Sequence, residues 1–314
     1  MSYHIGSFNL RDFNFANEST DGTSEKMKRN FEKIAKIIID ESFDVVALQE
    51  INASLPLEYL TRILNKYRTP MREYDFRFGT NMPMQRVSHD PERYGFIWNT
   101  KRLRLIRPRR GTNPGYYENA GALGLIRPPY YARFTARGML GGANFELRIV
   151  NTHIRDAVRE EDRIKEFDIL VKQILPRICD HQEITEDGEI MPAYTFLMGD
   201  YNLTLNKSER SIYKIETVTK TNYTGRRRGY RTVQEKATTL KLPNNQSCIE
   251  DCYANNYDHF TYEIDLDKKL VLIPQRIEAL NKYYSNIDSP NNKLKEYRSE
   301  ISDHVPIRLT VDFK

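Results

Sequence analysis

Short apolar runs of strand length recur along this chain of 314 residues, and several of them end on a polar side chain. Residues 45–48 lead into Glu50, residues 195–198 lead into Asp200, and a third apolar run follows His304. Continuous apolar runs of this length are typical of buried strands, and α/β folds build their sites where such strands end. The pattern therefore predicts a sheet protein whose functional residues lie at strand ends.

Amphipathic helices are few and dispersed among these strands. Apolar residues recur at helical spacing in residues 25–40, 57–66 and 158–175, and Pro176 is expected to end the last of these helices. Strands outnumber helices, which favours two packed sheets with helices outside them, an α/β sandwich. The sequence contains no internal repeat, low-complexity tract or flexible linker, so we expect a single domain over residues 1–314.

Composition limits the class of protein. A hydrophobic content of 39% with 20 Tyr and 14 Phe is sufficient for a large core, and no run approaches the roughly 20 apolar residues of a membrane span. The first residues lack the charged start and apolar stretch of a secretory signal, so we expect a cytoplasmic protein, with secretion as the alternative if a signal has been removed. Cys248 and Cys252 can pair, but with Cys179 they make an odd count, and reduced thiols are expected.

Positive charge is concentrated in two segments, although the net charge is only +5. Residues 101–110 carry six cations and no acid, and residues 205–241 carry ten Lys or Arg against three Asp or Glu. The second segment peaks at Arg226, Arg227, Arg228 and Arg231. A surface that binds a polyanion through counterion release is one interpretation, and a pair of solvated faces is the other. Charge alone does not decide between them.

Six polar positions at strand ends carry residue types that suit phosphoester chemistry. Carboxylates and amides supply hard oxygen ligands for a divalent metal, and a histidine beside a carboxylate can act as a general base or acid. Each position alone has an ordinary explanation, such as a turn cap for an asparagine, but their order and shared context favour a site. The positions are Asn9, Glu50, His153, Asp200 with Asn202, Asp258 with His259, and Asp303 with His304.

In five ordered motifs the chain resembles the endonuclease/exonuclease/phosphatase superfamily, which includes deoxyribonuclease I, abasic-site endonucleases, neutral sphingomyelinases and inositol-polyphosphate phosphatases. The motifs are Leu48-Gln49-Glu50, Asn151-Thr152-His153, Met198-Gly199-Asp200-Tyr201-Asn202, Tyr257-Asp258-His259 and Ser302-Asp303-His304. The resemblance covers nearly the whole chain. It implies a four-layer α/β sandwich, in which two packed mixed β-sheets are flanked by helices, and it implies phosphoester hydrolysis.

The resemblance also assigns a metal site and a place for the attacking water. Glu50, helped by Asn9 and with Asp303 as a further ligand, would bind Mg²⁺, and Mn²⁺ and Ca²⁺ are the alternative metals. Asp200 and Asn202 would orient the water and a phosphoryl oxygen.

Two imidazoles would face each other across the scissile phosphate. By the same resemblance, Asp258 would fix His304 and Glu92 would fix His153, in the pairing of base and orienting group that other hydrolases use. Arg127 falls where deoxyribonuclease I has a phosphate-binding arginine, and the planar guanidinium fork suits that ligand. Two such pairs resemble the deoxyribonuclease I-like branch and also sphingomyelinase-like enzymes, and the nuclease-like branch is the leading interpretation.

Two residues that contact duplex DNA in deoxyribonuclease I have no counterpart here. Asn52 stands in place of an arginine that enters the minor groove, and Asp90 in place of a groove-contacting tyrosine. We therefore expect substrate contacts from a basic insert at about residues 205–241, where Arg226–Arg228 and Arg231 can hold a phosphate backbone. A solvated loop is the alternative interpretation of this insert.

The sequence predicts a Mg²⁺-dependent hydrolase, first of all an endodeoxyribonuclease that cuts DNA by attack of water on the phosphodiester. The alternative is the same chemistry on a phospholipid head group or a phosphorylated small molecule. A third hypothesis, an inactive binding module, lacks its usual mark, because the expected metal ligands and catalytic histidines are all present. Nucleic acid, first of all DNA, is the expected partner, and the sequence does not identify protein partners.

Overall fold

Two mixed β-sheets pack face to face in this protein. In the first sheet, one central pair of strands is parallel and its other neighbours are antiparallel; the second sheet also has one parallel pair. This confirms the predicted sandwich of two mixed sheets. The computed structural model describes residues 2–15, 29–80, 92–106, 113–117, 120–136, 145–156, 159–181, 191–204, 212–215, 228–234, 236–242 and 252–314.

The first sheet has six strands. Their order is β13 (Leu270–Arg276), β14 (Ile307–Phe313), β1 (Ser2–Phe13), β2 (Val45–Ile51), β4 (Arg93–Asn99) and β3 (Tyr74–Phe78). The parallel pair is β1 and β2, so these two strands end at the same edge of the sheet. Asn9 and Glu50 lie at that edge, as the sequence predicts for polar residues at strand ends.

The second sheet has eight strands among the described residues. Their order is β10 (Ile212–Ile215), β11 (Arg228–Val233), β12 (Asp258–Glu263), β9 (Ala193–Asp200), β8 (Glu146–His153), β7 (Tyr130–Ala136) and β5 (Leu103–Leu105), and β6 (Gly115–Tyr116) also pairs with β7. The parallel pair is β8 and β9, whose last residues, His153 and Asp200, are directly paired. Because β12 is antiparallel to β9, its first residue Asp258 faces the same Asp200.

Helices cover the outer face of each sheet, which gives four layers. α1 (Phe31–Asp40), α2 (Ser54–Lys66), α5 (Ala279–Tyr283) and α6 (Pro290–Glu300) lie on the first sheet, and α3 (Glu160–Ile169) and α4 (Leu175–Asp180) lie on the second. A separate apolar cluster, with Phe96, Trp98 and Phe134 among its members, fills the space between the sheets. Burial of these side chains is the main favourable term in folding.

The helices differ from the sequence prediction at their ends. α1 begins at Phe31, because the side chain of Asn30 accepts a hydrogen bond from the backbone N–H of Lys33 (3.0 Å) and caps the helix there. Residues 25–28, where the helix was expected to begin, lie outside the described part of the chain. Pro176 does not end the helical run, because a π-helical turn at Leu170–Ile174 precedes it and Pro176 lies in the first turn of α4.

A buried ionic cluster ties α4 to the second sheet, far from the strand ends described above. Glu146 accepts hydrogen bonds from Arg133 Nε (2.5 Å) and Arg148 Nε (2.8 Å). Arg148 also donates to the carbonyl of Ile178 in α4 (2.6 Å). Since all three charged side chains are at most 7% exposed, their mutual contacts must compensate for the loss of water.

Two expectations from composition can be compared with the structure. No described helix combines the length and the apolar character needed to cross a bilayer. Cys179 is a free thiol, whereas Cys252 is disulfide-bonded, so the expectation of reduced thiols is wrong for Cys252. Cys248 lies outside the described residues.

Candidate active site

Asn9 joins the two sheets at the edge where their parallel strands end. Its side-chain amide donates to Glu50 Oε1 (2.7 Å) from the first sheet and to Asp200 Oδ2 (3.1 Å) from the second. Ser302 fixes the backbone of Asn9, because the serine hydroxyl donates to the Asn9 carbonyl (2.7 Å). One buried asparagine therefore sets the separation of the two carboxylates that were predicted to act together.

His304 and Asp258 form a buried pair beside Asp200. His304 Nδ1 lies 2.8 Å from Asp258 Oδ2, and His304 Nε2 lies 3.5 Å from Asp200 Oδ2. The backbone N–H of Asp258 donates to the hydroxyl of Thr238 (3.1 Å), which anchors the first residue of β12. This is the arrangement that fixes one ring nitrogen of a histidine and leaves the other facing a reactant.

His153 approaches Asp200 from the opposite side. His153 Nε2 lies 3.6 Å from Asp200 Oδ2, and His153 Nδ1 lies 3.1 Å from Glu92 Oε2. Glu92 is in turn bound by Arg127, whose Nη2 is 2.6 Å from Glu92 Oε2. The structure thus brings together both predicted His–carboxylate pairs, and it places Arg127 directly behind one of them.

Arg127 contacts Glu92 rather than lining the open cleft. Its side chain is 12% exposed, and its buried Nη1 makes no hydrogen bond within the described residues.

Asn202 lies between the imidazole of His153 and the end of β9. Its side-chain nitrogen is 3.2 Å from His153 Nε2 and donates to the carbonyl of Ile154 (2.8 Å). Its backbone N–H donates to Asp200 Oδ1 (2.9 Å), so both oxygens of that carboxylate are oriented by the protein. Asn202 follows Asp200 by two positions, and at this spacing an aspartate side chain can accept a hydrogen bond from the backbone N–H and form a local turn.

Backbone strain is concentrated around these residues. Arg11 (φ 41°), Asp12 (φ 48°), Glu50 (φ 58°) and Asn202 (φ 48°) adopt the left-handed conformation that residues with a Cβ atom rarely take. Glu50 lies where the pairing of β2 with β4 shifts register, and such a bulge redirects a side chain. Strain of this kind is typical of functional sites, because the surrounding structure must hold it.

The two histidines have opposite pKa shifts. Burial lowers the pKa of His153, and the nearby Arg127 guanidinium lowers it further. Burial would lower the pKa of His304 as well, but the carboxylates of Asp258 and Asp200 outweigh it and hold the pKa well above the usual value. Groups with pKa values pushed apart in this way are suited to opposite proton-transfer roles.

Two groups of side chains at the strand ends can hold a metal ion. Burial raises the pKa of Glu50, and it raises the pKa of Asp200 to about 6; a cation bound between these carboxylates would favour their ionised forms. Their carboxylate oxygens suit a hard divalent ion such as Mg²⁺, whereas Asn9 presents its amide NH2 group to both carboxylates and its oxygen to the backbone of Arg11. Ligand atoms lie within 4.8 Å of one another in the groups Glu50, His153 and Asp200, and Asp200, Asp258 and His304.

An open cleft of about 470 Å³ lies over these side chains. Six carboxylates and only two guanidinium groups, those of Arg11 and Arg298, line it within the described part of the chain. Sequence reasoning missed both arginines. Arg11 is two residues after Asn9 at the end of β1, a position that could have been recognised, whereas nothing in the sequence around Arg298 distinguishes it from other helix cations.

Two other predicted residues are outside both metal-binding groups. Asp303 lines the cleft but contacts Arg11 and Arg298 (3.5 Å each) and does not belong to either metal-binding group. His259 is a buried core residue whose Nε2 lies 3.0 Å from the carbonyls of Leu203 and Asn256. Of the two Asp-His dipeptides in the sequence, Asp303-His304 therefore places its histidine in the candidate site, whereas Asp258-His259 places its histidine in the core.

The expectation that the basic insert flanks the catalytic centre is corrected for Arg228 and Arg231. Arg228 pairs with Glu263 (2.7 Å) and with Asp180, and Arg231 pairs with Asp267 (2.7 Å). Glu263 is the last residue of β12, about 17 Å along the strand from Asp258 at roughly 3.3 Å per residue. Arg226, Arg227, Asp90 and most of the insert lie outside the described residues.

The chain shares its fold with solved structures of endonuclease/exonuclease/phosphatase proteins. It matches a protein of that family from Bacteroides thetaiotaomicron at 14% identity, covering 100% of this chain and 98% of that one with a TM-score of 0.53. It matches humanized D. rerio TDP2 at 16% identity, with 99% of each chain covered and a TM-score of 0.53. It matches ANGEL2, a 2′,3′-cyclic phosphatase, at 13% identity, covering 99% and 96% of the two chains with a TM-score of 0.56.

No protein-family model matches the chain, and no curated protein sequence matches it. At the identities found, the structural matches establish the endonuclease/exonuclease/phosphatase fold that the sequence motifs indicate. Activity must therefore be argued from the cleft itself.

Proposed function

We propose that this protein is a divalent-metal-dependent phosphodiesterase that hydrolyses nucleic acid, with DNA as its substrate. The observation that carries the proposal is the position of two imidazoles on opposite sides of one carboxylate: His153 Nε2 and His304 Nε2 lie 3.6 Å and 3.5 Å from the same oxygen of Asp200. Water attack on phosphorus requires a proton acceptor on one side and stabilisation of the leaving oxygen on the other.

Each imidazole would have a distinct function in this reaction. Asp258 holds His304 through Nδ1, so Nε2 of the cationic ring can donate to a phosphoryl or leaving oxygen. Glu92 Oε2 lies 3.1 Å from His153 Nδ1, and the other ring nitrogen lies beside Asp200, where the two groups would accept the proton of the attacking water. Asn202, held by the Ile154 carbonyl, would position the phosphate between the two rings.

The charge of the cleft supports a requirement for a divalent metal. Six lining carboxylates repel an anionic phosphodiester, and two guanidinium groups do not balance them. Glu50 and Asp200, oriented by Asn9, would hold Mg²⁺, with Mn²⁺ or Ca²⁺ as alternatives. The metal, when bound, supplies neutralisation of charge at the phosphoryl oxygens.

The same chemistry on another phosphoester is the alternative. Among the structures that share the fold, ANGEL2 is described as a 2′,3′-cyclic phosphatase and another as a mannosyl-6-phosphatase, so the fold accommodates more than one phosphoester. Two arginines at the rim of an open cleft favour a nucleic acid, because a polyanion can contact both the reacting centre and the rim.

The decisive experiment compares substrates under defined metal conditions. Purified protein would be incubated with plasmid, single-stranded DNA, RNA, bis(4-nitrophenyl) phosphate, a sugar phosphate and phosphatidylcholine vesicles, each with Mg²⁺, Mn²⁺, Ca²⁺ or EDTA. We expect cleavage of DNA and of the generic diester with Mg²⁺ or Mn²⁺ and none with EDTA. Turnover that persists in EDTA would refute the metal requirement, and turnover confined to the sugar phosphate or lipid would refute the nuclease assignment.

Two variants test the residue roles in the same assay. Asp200→Asn and His304→Asn should each lower kcat by about 100-fold or more, since each removes a group placed at the reacting centre. Arg62→Gln, at a 70% exposed position on α2, is the matched control and should retain the turnover of the unmodified protein. Thermal unfolding would verify that all three variants fold. Near-normal rates for either site variant would remove that residue from the mechanism.

A further inference from the structure

Arg11 and Arg298 form an arginine rim on either side of Asp303. Arg11 Nε and Arg298 Nη2 both lie 3.5 Å from the same oxygen, Asp303 Oδ2. Both residues line the cleft, with side chains 32% and 11% exposed. One carboxylate is thus shared by two guanidinium groups, the only two that line this acidic cleft within the described residues.

Hydrogen bonds within the protein hold the guanidinium of Arg298 and the backbone of Arg11. Arg298 Nη1 donates to the carbonyl of Leu240 (2.9 Å), which sets the orientation of its planar fork. The backbone N–H of Arg11 donates to the side-chain oxygen of Asn9 (2.9 Å), and its φ of 41° is maintained by that turn. A donor that is already oriented binds an anion with a smaller loss of conformational entropy.

The contacts to Asp303 are weak ones. A separation of 3.5 Å exceeds the 2.7–2.9 Å typical of a strong charge-assisted hydrogen bond, so neither guanidinium is engaged in a tight pair with this carboxylate. A phosphate, with more acceptor oxygens and a geometry that matches the fork, would compete well for both groups.

The arginine rim lies beside the reacting centre but not at it. The two imidazoles converge on Asp200, whereas Arg11 and Arg298 converge on Asp303, the residue before His304. A phosphate held by the rim is therefore a different group from the one under attack, although one substrate can present both.

We infer that the arginine rim is a subsite for a second phosphate of the substrate, adjacent to the phosphodiester that is hydrolysed. This inference rests on the proposed function and specifies it: the substrate is a chain of at least two phosphates rather than an isolated diester. Nucleic acid has this chemistry, and so does a small molecule with two phosphate groups.

Chromogenic nucleotides that differ by one phosphate test the inference. The substrates are thymidine 5′-(4-nitrophenyl phosphate) with and without a 3′-phosphate, and thymidine 3′-(4-nitrophenyl phosphate) with and without a 5′-phosphate. In one of the two pairs the additional phosphate should raise kcat/KM by about tenfold or more, as expected for a charge-assisted contact to two guanidinium groups. A bisphosphorylated sugar ester that is not a nucleotide shows whether the phosphate alone accounts for the gain.

Substitutions must remove this gain selectively. Arg11→Gln and Arg298→Gln should each bring the ratio within a pair close to one, while kcat/KM on the single-phosphate nucleotide changes by less than about threefold. Arg298→Lys keeps the charge without the fork and should retain part of the gain. Arg62→Gln again serves as the distant control. If Arg298→Gln does not fold, Arg11→Gln, on the more exposed side chain, still decides the matter.

The possible outcomes separate the two proposals. No turnover on any of the four nucleotides contradicts the proposed function. Turnover without a preference for the second phosphate, or a preference that survives both glutamine variants, leaves the proposed function intact and overturns the subsite.

Discussion

Gly199 offers the strictest test of the site geometry, because it lies in β9 immediately before Asp200. Its φ of 147° is in a region that favours glycine, and a Cβ atom built there would lie 1.8 Å from the carbonyl oxygen of Thr152 in β8. To reach even 3.0 Å, the two strands would have to separate by about 1.2 Å at this point. The next pair along these strands is His153 and Asp200.

We predict that Gly199→Ala abolishes most activity and strongly destabilises the fold. A displacement of about 1 Å between catalytic groups can cost about 100-fold in rate, and the same separation breaks a central strand pair, which we expect to cost about 4 kcal/mol or more. Turnover of bis(4-nitrophenyl) phosphate with Mg²⁺ and urea unfolding would measure the two effects. The loss should appear in kcat, because the reacting groups are displaced.

Two other glycines serve as controls that separate the steric clash of an added Cβ atom from the strain of a positive φ. A Cβ atom at Gly121 meets nothing within 4 Å, so Gly121→Ala should be neutral in both assays. Gly124 has a φ of 90° but equally open surroundings, so Gly124→Ala should cost only the backbone strain, about 1 kcal/mol. If Gly199→Ala behaves like either control, the close approach of β8 and β9 at the site is wrong, and so is the geometry built on it.

Three further predictions concern residues away from the reacting centre. Burial raises the pKa of Glu146, but Arg148 and Arg133 outweigh it and hold the pKa below the usual value. Glu146→Gln should therefore lower the free energy of unfolding by about 3 kcal/mol or more at neutral pH, with a difference in urea unfolding that shrinks as the pH falls below 4.5 towards the native pKa. Burial raises the pKa of Cys179 to about 11, so iodoacetamide at pH 8 should modify it only after unfolding, as peptide mass spectrometry would show. Arg228→Gln should lower the melting temperature, because it breaks the pairs with Glu263 and Asp180, and should leave the salt dependence of DNA binding unchanged.

The sequence predicted the fold and the central residues because both depend on local patterns. An apolar run that ends on a polar residue fixes where a strand stops, and motif order fixes which strand it is. Those two facts place Asn9, Glu50, His153, Asp200 and His304 at one edge, where the structure has them. The partners of the histidines, in contrast, required the family resemblance, since no local signal joins residues 46 positions apart.

Charged residues in irregular segments were less predictable. A run of arginines looks alike whether it faces solvent or is paired, and Arg228 is paired with two acids that are distant in sequence. Arg298 illustrates the reverse, because it is one of several cations near the end of α6 and only the fold brings it to Asp303 and Leu240. Long-range ion pairs decide both cases, and a sequence contains no periodic signal for them.

The conformations of the site residues explain why their positions are so closely fixed. Glu50 takes a left-handed conformation that its own side chain disfavours, at a cost of about 1 kcal/mol or more, and Asn202 takes the same conformation, which asparagine adopts more readily than most residues. Asn9 and the Ile154 carbonyl hold these side chains in hydrogen bonds that reach across strands. A carboxylate held in this way cannot relax away from its neighbours, and burial raises the pKa of both Glu50 and Asp200. A cation bound between these two carboxylates would offset the cost of burying their charge, so the strain that fixes them would contribute to metal affinity.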